Sequence, residues 1–495
     1  MIAAFSGVAG AEMTLPVNDN NTGIFDQPSV AMNGSKALVA YIGKNTASGD
    51  GYWVYFAAVN GDTNFANLSL VKDSAVILTS PVAVDNTGTG GNSSYYDARH
   101  PKIALRSSTE AVIFFQAKAT DLDTVYRPYI ARFTLTGNTA TLASVKQVTG
   151  FPAGDLATGD IEDISFGIVT TDNSARIAFG NRSVIGTEPF QVYFARVGLD
   201  NALVVGAPIP LSSLPATDGL RPLPSLRLDT LNRSHVAWAA DNAFLTGSVP
   251  VYYAMIKETN GIDNRVISAT QVIGGGFRWG FPSLQVFSNS SIVVLAADET
   301  VPGQAGNIGF INFNPDADNQ DGSTVIVADN RNFFITPPGE LILPDEFNLY
   351  RPDAVLDTSG RLHMTGYGAG GTRCTYYAFN LISTFPYYEI LTPRAQVGFD
   401  SQEFPREITG DYTLGAFGYI SGKAIVFWSG LIPGGTNRNL DVTTVATTTL
   451  PIPFKESGCS MVSDPGTGEG GRMAGTAFLF LPAIVLGIRR ISRGR

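Results

Sequence analysis

Arg221-Pro222-Leu223-Pro224-Ser225-Leu226-Arg227-Leu228-Asp229 is followed by His235-Val236-Ala237-Trp238-Ala239 and then by Val251-Tyr252-Tyr253-Ala254. Apolar and polar residues alternate in the first segment, and β-branched and aromatic side chains dominate the next two, which is the pattern of half-buried strands. The same grammar returns at Arg351-Pro352-Asp353-Ala354-Val355-Leu356-Asp357, Arg361-Leu362-His363-Met364 and Thr375-Tyr376-Tyr377-Ala378. In both copies a proline opens an apolar strand, a polar turn follows, and a later strand carries an aromatic pair and an alanine.

Working outward, further copies open at Gln27-Pro28-Ser29-Val30, His100-Pro101-Lys102-Ile103 and Phe281-Pro282-Ser283-Leu284. A degenerate copy starts at Ile161-Glu162-Asp163-Ile164, and a last, weaker one runs from Phe404-Pro405-Arg406 to Ala424-Ile425-Val426-Phe427-Trp428. Between Pro101 and Pro282 the openings recur about every 60 residues, enough for four short strands. A unit of that kind cannot bury its apolar face alone, so neighbours must stack, and closing the stack into a ring protects the sheet edges. The expected fold is all-β: a β-propeller over residues 24–449, of seven blades, with six blades or an irregular pair of β-sandwiches as alternatives, plus one C-terminal apolar helix.

Composition agrees with that fold. Charged residues make up 15% of the 495, well under the usual quarter, while the 53 glycines supply turns. The net charge of −10, with no cluster of Lys and Arg before the extreme C-terminus, excludes a phosphate-tracking surface and with it nucleic acid as a partner. Two cysteines are too few for a disulfide framework or a Cys-based metal site. Cys374, in the apolar run Cys374–Phe379, reads as a core residue.

The two ends read as addresses. Ala9-Gly10-Ala11 matches a small-x-small cleavage site after an apolar stretch, so residues 1–12 are read as the end of a secretory signal peptide. At the other end a flexible linker (450–472) holds Gly458-Cys459-Ser460, an apolar stretch (473–488) follows, and a basic tail (489–495) begins with Arg489 and Arg490. An apolar run closed by arginines is a short transmembrane segment with a cytoplasmic stop. This order resembles the three-part C-terminal sorting signals of Gram-negative bacteria, in their Cys-bearing JDVT-CTERM and MYXO-CTERM forms. The resemblance implies cleavage by an intramembrane sorting protease. It makes Cys459 the processing or attachment residue, with the protein exported and held at the cell envelope by the C-terminal helix or a lipid.

The blade grammar itself resembles sialidase-like and BNR-type propellers. In that comparison Arg221 and Arg351, with Arg278 and Arg373, become candidates for a ligand mouth, while the turn Leu356–Leu362 lacks the Thr-Trp that closes the BNR motif. No catalytic residue is assigned. Glu162 and Asp163 are expected in a solvated loop, and His235 and His363, at matching repeat positions, in packing roles. Asp316, Asp318 and Asp321, in Asn314–Gly322, offer the oxygens of a weak structural calcium site; no other cofactor is expected. The function these observations favour is a non-catalytic surface propeller binding a protein or glycan ligand. The alternative is a secreted sialidase-like or other glycoside-acting hydrolase.

Overall fold

The computed structural model describes residues 11–16, 23–34, 36–45, 51–61, 68–70, 82–83, 97–120, 122–137, 139–182, 191–212, 222–239, 249–273, 279–287, 292–298, 308–315, 331–334, 350–356, 361–367, 373–381, 388–399, 415–420, 423–431 and 438–446. By contacts the chain divides into Met1–Phe454 and Lys455–Arg495, and no residue of the second unit is among those described. The expected apolar helix, the Gly458-Cys459-Ser460 motif, Arg489 and Arg490 therefore lie outside them. So do Arg221, Arg278 and the acidic loop with Asp316, Asp318 and Asp321. Among the described residues no helix is long and apolar enough to cross a membrane.

Within the first unit the structure is all-β, built from antiparallel sheets of four strands. The second group along the chain comprises Asp97–Ser107, Glu110–Lys118, Arg127–Thr136 and Thr139–Gln147. The third comprises Asp160–Val169, Ser174–Arg182, Gln191–Gly198 and Val204–Pro210. A one-turn helix, Asp155–Thr158, lies between them. The fourth group begins with Ser225–Leu228, the fifth with Trp279–Val286 and the sixth with Tyr350–Leu356.

The remaining strands form one nine-stranded sheet with two halves. One half is led by Gly23–Asn33 and continues with Lys36–Asn45 and Trp53–Gly61. The other is Gly415–Ile420, Lys423–Leu431 and Arg438–Ala446, and it takes its fourth strand from the other end of the chain. Ala11–Pro16 runs antiparallel to Arg438–Ala446, with Leu15 opposite Val442 and Pro16 opposite Asp441. Among the described residues the β region thus begins at Ala11, upstream of residue 24. A single parallel pair, Ile24 with Arg438, joins the halves.

Each group packs face to face on the next. Phe56 of the first group stacks on Phe133 of the second at 4.4 Å, and Phe114 meets Phe166 of the third at 4.6 Å. Trp238, Leu226 and Val236 of the fourth group are buried against Ala178 and Phe194 of the third. Tyr253 meets Phe313 of the fifth edge-on at 4.9 Å. The side-chain amide of Gln285 donates to the carbonyl of Ala354 in the sixth at 2.7 Å. Ile425, Phe427, Leu440 and Val442 of the last group are buried with Val39 and Tyr41 of the first. The leading strands also touch in sequence, and the last touches the first, so the stack closes on itself as a propeller-like ring. Each large apolar side chain buried between sheets contributes about 1.5–3 kcal/mol, and no sheet has that face to itself.

In four copies the proline of the repeat does not open its strand, as the sequence pattern suggests, but sits inside it; in the fourth group Pro224 directly precedes Ser225–Leu228. The ladder slips between Asp26 and Ser29, Arg99 and Lys102, Glu162 and Ser165, Gly280 and Ser283, and Tyr350 and Asp353. Each slip is a bulge of two residues, X-Pro in four copies and Asp163-Ile164 in one. Proline fits there because a bulged residue donates no ladder hydrogen bond. The residue before it is left-handed: Gln27, His100, Asp163 and Phe281 have φ between 47° and 56°. In the fourth group Leu223 (φ 41°) holds that position, and Arg227 pairs with His235 as Val355 pairs with His363. Hence Leu223-Pro224, not Arg221-Pro222, matches Arg351-Pro352, and Arg221 and Arg351 are not equivalent.

A serine just after the bulge ties one group to the next. Ser29 Oγ accepts the N–H of Ile103 (3.1 Å), Ser165 Oγ that of Leu226 (2.9 Å) and Ser225 Oγ that of Leu284 (3.0 Å). On the opposite side of the sheets a charged clasp joins the third and fourth groups. The almost fully buried Arg176 reaches Asp172 (2.7 Å), Glu258 (3.2 Å) and Asp263 (3.6 Å), and Arg196 approaches the same three carboxylates.

Ser225→Ala leaves the buried N–H of Leu284 without its acceptor, an expected cost of about 1–3 kcal/mol. Urea unfolding checks this, and a midpoint equal to that of the unsubstituted protein contradicts it.

Candidate functional site

In both the second and third groups, the start of the leading strand, the end of the second strand and the start of the third lie at one end. The register requires it: Asp97 pairs with Lys118, Ala117 with Arg127, and Asp160 with Arg182. Tyr126 couples the two groups, its carbonyl accepting the N–H of Ile161 (3.0 Å) and its own N–H donating to Asp160 Oδ1 (2.8 Å). Polar residues that precede the two bulges are thereby gathered in one place.

The upper layer centres on the Tyr126 ring. Its hydroxyl donates to Asp97 Oδ2 at 2.5 Å, and Asp97 Oδ1 accepts the N–H of Tyr52. The Arg99 guanidinium lies 4.4 Å from the ring centroid and the Lys118 ammonium 5.1 Å, both within cation–π range. Arg182 donates to Asp160 Oδ2 at 2.8 Å and lies 3.7 Å from Glu162. Arg127 donates to the carbonyl of Gly159 at 2.7 Å. Burial holds the Arg127 guanidinium below its ordinary pKa, against the opposing pull of Asp160 and Asp123.

The lower layer is buried. Gln27 Oε1 accepts the N–H of His100 and Gln116 Oε1 that of Asp163, each at 2.6 Å. With its oxygen so engaged, Gln116 turns its amide nitrogen to His100 Nδ1 at 3.1 Å, and Asp163 Oδ1 lies 3.0 Å from the same ring nitrogen. His100 Nδ1 therefore stands between a donor and an acceptor: without a proton it accepts from Gln116, and with one it donates to Asp163.

The expectation of a solvated loop at Glu162 and Asp163 fails. Both are strand residues, 2% and 5% exposed, because the bulge turns them in among the neighbouring sheet's side chains. His235 is fully buried, with Nδ1 2.7 Å from the Tyr253 hydroxyl and Nε2 3.3 Å from Asp229 Oδ2, which fits its packing role. Burial would raise the Asp229 carboxyl, but hydrogen bonds from His235 and Arg233 outweigh it and hold that carboxyl well below the usual range. Arg351 and Arg373 lie in strands leading the sixth group and third within it; His363 is second. Among the described residues no group of His, Cys, Asp and Glu is arranged to hold a metal ion.

The residues that sequence reading passed over are Asp97, Arg99, Gln116, Lys118, Tyr126, Arg127, Asp160 and Arg182. A signal for three of them was present: Asp97-Ala98-Arg99 and Asp160-Ile161-Glu162 put charge on alternate positions directly ahead of a bulge. Chemically, the site offers guanidinium and ammonium donors outside and engaged carboxylates inside. The Tyr129 phenol nearby is pushed up to about 12 by burial and the Asp123 charge, and burial raises Tyr55 as well, opposite to the shift an activated tyrosine nucleophile needs.

No family model matches the chain, and no curated protein matches it. Among solved structures, a protein of unknown function from Dyadobacter fermentans is similar at 9% identity, covering 88% of this chain and 98% of that one, with a TM-score of 0.45. A Penicillium chrysogenum α-L-arabinanase complexed with arabinobiose is similar at 12% identity, over 88% and 97% of the two chains, with a TM-score of 0.41. A Trypanosoma rangeli sialidase is similar at 11% identity, over 75% and 57%, with a TM-score of 0.40. The activities in those names stay with those proteins.

Asp160→Ala removes the acceptor of a buried N–H and of Arg182, and is expected to cost about 1–3 kcal/mol, whereas Asp200→Ala, at an exposed ion pair with Arg132, costs about 0–1 kcal/mol. Equal losses in denaturant titrations contradict the assignment. Because the folded Asp229 carboxyl is depressed, its contribution is present above the ordinary carboxylate pKa and is lost as pH falls below it. The loss of thermal midpoint between pH 5 and pH 3 is therefore expected to be smaller in Asp229→Asn than in the unsubstituted protein; identical profiles contradict it.

Proposed function

We propose that this chain is a seven-bladed β-propeller, displayed at a bacterial envelope, that binds an extracellular ligand without transforming it. The binding end is the one where the leading strands of the second and third groups begin. One observation carries the reading: each carboxylate gathered there is engaged. Asp97 is held by Tyr126, Asp160 by Arg182 and a backbone N–H, Glu162 approaches Arg182, and Asp163 faces His100. A general acid and base need one protonated and one ionised carboxyl open to substrate. Engaged carboxylates instead fix the donors above them, which is what a recognition surface requires.

Export and envelope display come from the sequence alone. Cleavage after Ala11 leaves nearly all of Ala11–Pro16 to complete the last sheet, so the signal-peptide reading and the closing strand are compatible. The tail, with Cys459 as processing or attachment residue, supplies the anchor and the intramembrane protease as a partner. The calcium loop and the four mouth arginines, Arg221, Arg278, Arg351 and Arg373, are not needed by this reading.

The second reading is a glycoside-acting hydrolase, favoured by the burial of two adjacent carboxylates, Glu162 and Asp163, at a ring position. One experiment separates the two: the full chain is incubated with a panel of polysaccharides while retention and new reducing ends are both measured. Retention without new ends is expected. Release of sugars that Glu162→Gln abolishes contradicts the binding reading and supports the hydrolase.

A further inference from the structure

We propose that the ligand taken at this end is an acidic polysaccharide, its carboxylate or sulfate groups held by Lys118, Arg99, Arg127 and Arg182 around the Tyr126 ring. The inference rests on the binding reading and adds the ligand's chemistry. Its basis is an asymmetry of burial between the two signs of charge. By side chain, Arg99 is 34% exposed where its neighbour Asp97 is 16%, and Arg182 is 30% exposed over Asp160 at 8% and Glu162 at 3%. The Asp163 side chain, deepest in the cluster, is 2% exposed. Lys118 and Arg127 are half-buried at the same end.

The carboxylates thus lie beneath and the cations above, so a ligand arriving from solvent meets donors before acceptors. Three features fit those donors to an oxyanion rather than to a neutral sugar alone. Among the described residues no carboxylate pairs with the Lys118 ammonium; its neighbour is the Tyr126 ring face, which leaves its N–H groups for a ligand. Arg99 lies over the same ring, 4.4 Å from its centroid, with its side chain 34% exposed, which keeps the cation at the solvent side of Asp97. Arg182 is held by Asp160 through one terminal nitrogen, so its fork is oriented before a ligand arrives. The cations belong to two different groups bridged by Tyr126, so a chain carrying several anionic groups can meet more than one of them.

The test measures retention of the full chain on polygalacturonate, dextran sulfate and neutral dextran at 50 mM and 500 mM NaCl. Lys118→Gln is compared with Lys257→Gln, an equal change of charge at an exposed position on the opposite side of the sheets. Expected is retention on at least one acidic polymer, lost at high salt because exposed charges are screened. It should weaken at least fivefold in Lys118→Gln and be unaltered in Lys257→Gln, with no retention on neutral dextran. The two acidic polymers tell carboxylate from sulfate. Salt-insensitive retention on neutral dextran, or equal weakening by both substitutions, overturns the inference and leaves the binding reading standing. Failure of the chain to be retained on any polymer or by an envelope extract overturns both.

Discussion

Everything in the described structure depends on how one sheet is fastened to the next at its leading strand. The fastening is a two-residue bulge whose first residue is left-handed. For a side chain such as Gln27, His100, Asp163 or Phe281 that backbone costs about 1–3 kcal/mol. The cost is offset by what the bulge permits: it swings the following backbone against the neighbouring sheet, where Ser29, Ser165 and Ser225 accept N–H groups from the next leading strand. A straight strand keeps its N–H groups within its own ladder and has no such reach. Apolar packing then follows, because the same approach brings Phe114 onto Phe166 and sets Gly167 so near Leu228 that an added methyl would lie 2.7 Å from its branch carbon.

The site is a by-product of the same geometry. Where serine is replaced by Lys102, Gln116 takes over the fastening, to Asp163, and one seam earlier Gln27 adds a bond to His100 beside that of Ser29. Those bonds run from side chain to backbone across the seams on either side of the second group. Polar side chains are therefore drawn into the interior at this place, and buried polar groups must be paired. Arg182, Tyr126 and His100 do the pairing, and in doing so they are fixed in position. Cationic donors thereby lie over buried carboxylates.

Much of this was legible in the sequence. The recurring X-Pro-Ser pattern marks the fastening, and strand alternation marks the faces, so an all-β ring follows from the chain alone. The exact position of the repeat was not: Arg221-Pro222-Leu223-Pro224 offers two prolines, and the left-handed Leu223 with the pairing of Arg227 and His235 shows that the second holds the repeat position. Ala11–Pro16 shows alternation at Ala11, Met13 and Leu15, yet six residues beside a cleavage motif read more readily as a signal. Glu162 and Asp163 misled because two adjacent acids are usually solvated, and nothing local reveals that a histidine, an arginine and a glutamine from elsewhere converge on them. Long-range pairing of that kind leaves no mark in spacing.

Native-state hydrogen exchange tests the fastening most directly. The amides of His100, Ile103, Asp163, Leu226 and Leu284 each donate to a side chain of the neighbouring sheet, not to their own ladder. If those contacts hold the ring together, these five exchange with the slowest class of the protein, through opening of the whole structure. Exchange as fast as that of the exposed turn at Asn260 and Gly261 would show that the sheets are held by apolar packing alone, and the account of both fold and site would fail.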